Sequence, residues 1–91
     1  MKLTNEDKVL LLDWGHTEDD FAQIEKAFQK SKTSYEMDGV RITREKAIEL
    51  LGRRRYLAGI SRSAFHWTAT QETKDGKWVC FDSSKLFKNA I

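Results

Sequence analysis

Four arginines, Arg53, Arg54, Arg55 and Arg62, fall within the 22 residues from Leu50 to Gln71, a stretch that holds no carboxylate. Tyr56, Phe65, His66 and Trp67 share it. Guanidinium groups without a local counter-charge, set among aromatic rings, create a positive field beside stacking surfaces. That pairing is one physical signature of a surface for nucleic acid or an acidic partner. Lys74 and Lys77 flank Asp75-Gly76 a little further on, and Trp78 follows them. The candidate contact set is therefore Arg53, Arg54, Arg55, Arg62, Lys74 and Lys77 for phosphates, with Trp78 to stack on a base or fill a protein pocket. The competing reading is a solvated helix face whose arginines pair with Glu49 or with the acidic N-terminal segment.

Other chemistries lack their residues. A metal centre needs several N, S or O ligands converging on one point, and His16, His66 and Cys80 have no ligand-pair spacing among them. A Cys–His nucleophile would join Cys80 to His66. In the strand register favoured below, the two stand about 13 Å apart at a rise of roughly 3.3 Å per residue. Asp19 and Asp20 suit the first turn of a helix better than acid–base work. Gly52 and Gly59 are isolated, with no phosphate-cradling loop around them. The expectation is a protein that is not an enzyme and uses neither cofactor nor metal.

The whole chain frames these candidates. Its 91 residues make a single domain, 1–91, with the apolar share of a globular fold. One cysteine excludes an internal disulfide, the N-terminal residues lack the apolar core of a signal peptide, and the longest apolar run, Val9 to Leu12, is far too short to span a membrane. A cytoplasmic protein is expected. Charge is uneven: residues 1–42 carry net −3 and residues 43–91 net +5, giving an acidic and a basic pole if the halves pack together.

The elements that must position the candidates follow from caps, turns and periodicity. Thr4, with Asp7 three residues on, opens a helix to Trp14 that Gly15 closes, with a broad apolar face from Val9 to Leu12 and Trp14; a buried strand over 8–14 is the alternative. Thr17 caps a second helix reaching about Lys30, with Phe21, Ile24, Ala27 and Phe28 inward. Asp38-Gly39 predicts a hairpin with a type I′ turn, pairing Met37 with Val40, Glu36 with Arg41 and Tyr35 with Ile42. Thr43 caps a helix to Leu51 that stops at Gly52, and another runs from Arg53 to Ser63. On a helical wheel Tyr56, Leu57, Ile60 and Ala64 turn inward; Arg54, Arg55, Ala58, Ser61 and Arg62 turn outward, and Arg53 lies near the core side in the first turn. A second hairpin, 65–72 with 77–82, closes through a three-residue loop with Gly76 left-handed. This register groups Phe65, Trp67, Ala69, Val79 and Phe81 on one face and leaves His66, Thr68, Thr70, Trp78 and Cys80 on the other. A short helix within 83–91 ends the chain.

The fold class expected is α+β, helices plus two antiparallel hairpins. From Thr43 to Asp82 the order resembles a winged helix-turn-helix, with 53–63 as recognition helix and the 65–82 hairpin as wing, and Gly59-Ile60-Ser61-Arg62-Ser63 is similar to the turn and helix start of such regulators. The resemblance is one of order and charge and assigns no residue roles. It departs from the pattern where Arg53 occupies a usually apolar position and where the first hairpin replaces a single short strand. The function expected is a small binding domain, a nucleic-acid-binding regulator or accessory protein contacting DNA or RNA. The alternative is a protein–protein adaptor or inhibitor using the acidic 18–25 face or Trp78 as anchor.

Overall fold

Thr4 sets the first element. Its hydroxyl accepts from the Asp7 amide at 3.1 Å while the Asp7 carboxylate accepts from the Thr4 amide at 2.9 Å. This reciprocal cap starts α1 (Asn5–Asp13), and Gly15, at φ 96°, turns the chain out of it. The computed structural model describes residues 2–29 and 32–88. The apolar face of α1 is narrower than expected. Leu11 is buried, but Val9 is 58% and Leu12 46% exposed. Four consecutive apolar residues, each rotated by about 100° on a helix, cannot all face one neighbour.

Asp20 accepts from the Thr17 amide and ends a 3-10 turn, Glu18–Asp20, that leads into α2 (Phe21–Ala27). Ile24, Ala27 and Phe28 are buried as the spacing predicted; the expected end near Lys30 lies outside the described residues. Strands β1 (Ser34–Met37) and β2 (Val40–Ile42) pair in the predicted register, with Asp38 and Gly39 both at positive φ.

Thr43 then caps α3 (Arg44–His66), accepting from the Lys46 amide. This helix is two pieces, 44–51 and 53–66, because Gly52 stands at φ 79°, ψ 161°. The second piece outruns its predicted end. Phe65 and His66 are helical, Trp67 turns the chain at φ 70°, and β3 (Thr68–Glu72) starts three residues later than expected. Gln23 donates to the Ala64 carbonyl at 3.1 Å and so satisfies part of the extended helix end. Consequently Phe65 and Trp67 leave the inner sheet face. Phe65 stacks on His16 and Trp67 on Phe87.

From Thr68 onward the predicted register holds. Thr70 faces Cys80, Ala69 faces Phe81, and Thr73 and Lys77 close the loop around Gly76 at φ 83°. The sheet order is β2-β1-β4-β3, antiparallel throughout, with β4 (Trp78–Asp82) joining the two hairpins; α4 (Lys85–Lys88) follows. The protein is an α+β domain.

One sheet face and α3 enclose the core. Tyr35, Tyr56, Phe28 and Phe81 form a ring cluster with centroids 5.4–5.9 Å apart, and the two tyrosine hydroxyls bond at 2.7 Å. Burial, reinforced by Tyr35, pushes the Tyr56 hydroxyl far above its ordinary pKa, so it stays neutral. Ser83 bonds Thr33 at 2.7 Å and Ser63 at 2.8 Å, pinning the end of β4 to α3 and to the segment after α2.

Candidate nucleic-acid interface

The break at Gly52 decides where the arginines go. Arg53, first after the break, turns back to α1 and grips Asp7 through two bonds, Nε to Oδ1 at 3.2 Å and Nη2 to Oδ2 at 2.6 Å. Asp7 is 3% exposed. Burial alone would raise its pKa, but the Arg53 guanidinium and the Thr4 amide outweigh that and hold the carboxyl below its ordinary value. The Asp7 hydrogen bond in turn raises the pKa of Arg53. Arg53 therefore belongs to the α1–α3 joint, and its charge is spent there.

Its neighbours differ. Arg54 and Arg55 are exposed and make neither ion pair nor hydrogen bond among the described residues. Glu49, the suggested intramolecular partner, lies instead 3.9 Å from Lys46. Arg62 reaches from α3 to the open edge of β3, donating to the Thr70 carbonyl and, at 2.9 Å, to Gln71 Oε1. Both acceptors are neutral, so its charge is held in place without being cancelled. Lys74, from the β3–β4 loop, lays its stem over Gly52, with Cε 3.7 Å from where a Cβ on that glycine would stand.

These side chains converge. Arg53, Arg54, Arg55, Arg62 and Lys74 line one groove of about 840 Å³, together with Gly52, Ala58, Gln71, Trp14 and His16. Among the described residues no carboxylate lines it. Four of the five cations have no ion-pair partner among the described residues. Ser61, expected on the outward face, is buried instead and donates to the Ala58 carbonyl, since burial extends over more than half the circumference of 53–66. Ala58 is half-buried at the groove floor.

Two of the sequence-derived candidates stand elsewhere. Trp78, 55% exposed, projects from the uncovered sheet face opposite Glu72, and Lys77 closes the hairpin loop beside it. Conversely, Trp14 was expected only on the apolar face of the first helix and His16 was weighed only as a metal ligand, and neither was placed at this site. They precede the second helix by only a few residues, and nothing local in the chain reveals that this connection folds against α3. Asp20 and the Phe65 ring hold His16, at 3.3 Å and a centroid distance of 5.9 Å. Cys80 is exposed on the outer sheet face, and no group of three His, Cys, Asp or Glu among the described residues could hold a metal ion.

Comparison of the chain with protein-family models, with curated proteins and with solved structures returned no match.

Proposed function

We propose that the protein is a non-enzymatic nucleic-acid-binding domain, of regulatory or accessory kind, whose phosphate contacts are Arg54, Arg55, Arg62 and Lys74. The observation that carries this reading is a groove with four uncancelled cations and, among the described residues, no carboxylate on its walls. Such a concavity focuses the field and raises the local concentration of a polyanion. Phosphate contacts position a protein on nucleic acid without reading sequence, so the reading concerns affinity rather than specificity.

Docking in the groove suits this helix better than insertion of 53–66 into a duplex, as a winged helix would do. Arg53 is committed to Asp7, and the rest of the exposed surface of 53–66 is the stripe through Arg54, Arg55, Ala58, Arg62, Phe65 and His66. The single exposed thiol, Cys80, fits a reducing compartment such as the cytoplasm. No described helix is long and apolar enough to cross a membrane.

A protein partner is the second reading, favoured by Val9 and Leu12 on α1 and by Trp78 on the sheet, all substantially exposed. Retention separates the two. The nucleic-acid reading expects binding to heparin and to mixed-sequence DNA or RNA at about 50 mM salt, with steep weakening as salt rises. Absence of retention would rule for the protein partner.

A further inference from the structure

Resting on the nucleic-acid reading, we infer that the groove takes a single strand and that Trp14 stacks on one of its bases. Trp14 is 38% exposed, lines the groove with the four unneutralised cations, and has no aromatic neighbour among the described residues. His16 lines it too, but its ring is already stacked on Phe65. An open indole beside an uncancelled set of guanidinium groups combines the two parts of a single-strand site, a backbone track and a stacking platform. A duplex can use the first part only, because its bases are covered above and below by their neighbours; an unpaired base can use both.

The floor agrees with this. Ala58 carries only a methyl group and lets a sugar–phosphate backbone approach α3 closely, while the Lys74 stem covers Gly52 beside it. Arg62 is held ready by two acceptors on β3, which leaves three of its five N–H donors for phosphate. One element supplies the ring, another the arginines and a third Lys74, so the site exists only once the chain has folded.

The test uses the whole chain with Trp67→Phe and Trp78→Phe, which leaves Trp14 as sole indole reporter. An unstructured mixed-sequence oligonucleotide of about 12 residues, within the roughly 4–16 that single-strand folds cover, is titrated as RNA and as DNA. Each is then repeated annealed to its complement. The inference expects tighter binding of the single strand, quenching of Trp14 on saturation, and a loss of roughly 5- to 150-fold for Trp14→Ala, the range of one stacked base. Trp14→Phe should recover part of that loss, which a merely structural role for the indole would not require. Equal or tighter duplex binding with unquenched Trp14 overturns the inference and leaves the phosphate reading standing. Failure of single strand and duplex alike at about 50 mM salt overturns both.

Discussion

Asp7 and Gly59 show how much a single side chain, or its absence, decides in this fold. Hydrogen bonds hold the folded-state Asp7 carboxyl below the ordinary 3.8, so its contribution is present above that value and is lost as pH falls beneath it. Acid unfolding of Asp7→Asn should therefore lose stability less steeply below about pH 4 than the parent protein does. Gly59 sits mid-helix, where glycine is ordinarily a poor choice. A Cβ there would overlap the Phe81 ring, itself fully buried. Gly59→Ala should cost about 1–3 kcal/mol in chemical denaturation, the range for overpacking, although alanine is the better helix former. An unchanged midpoint would mean that Phe81 has room to move.

Among the elements, the break in α3 carries the most consequence. At φ 79° and ψ 161°, Gly52 occupies backbone space that only glycine visits readily. A Cβ there meets nothing closer than 3.7 Å, so the penalty for Gly52→Ala is conformational rather than steric. It should amount to about 1–3 kcal/mol in thermal unfolding and should also weaken nucleic-acid binding, because straightening the helix separates the arginines from Lys74. Both hairpin registers were legible in the sequence, since Asp38-Gly39 and Asp75-Gly76 declare their turns and one face of each pairing is apolar. The end of α3 was not. Phe65 and Trp67 alternate with polar residues as a strand would, and only the tertiary bonds at Ala64 and Trp67 show where the helix stops. The broad apolar run of α1 misled in the same way, because composition cannot say which side of a helix finds a neighbour.

For the molecule as a whole, the joining of β1 to β4 is the event that sequence could not announce. It brings the two hairpins into one sheet and lays α3 across it. The basic stretch was visible from the outset, but its division of labour was not. Arg53 is neutralised by a carboxylate 46 positions away, Arg62 is braced against β3, and Arg54 and Arg55 make no hydrogen bond or ion pair among the described residues. Trp14 enters the same groove from the N-terminal half of the chain, so both halves contribute to one site. Arg54 and Arg55 hold nothing in the fold, so replacing both with alanine should leave unfolding within about 0.5 kcal/mol of the parent. That makes the pair a clean probe of binding.

The central claim, that four cations in one groove contact phosphates, is tested most directly by the salt dependence of single-strand affinity. At about 0.7 per contact, four contacts give a log–log slope near −2.8, or roughly 50-fold weakening between about 50 and 200 mM salt. The Arg54→Ala, Arg55→Ala double variant should bind more weakly with a slope near about −1.4. A double variant that kept both the parent affinity and the parent slope would contradict the account.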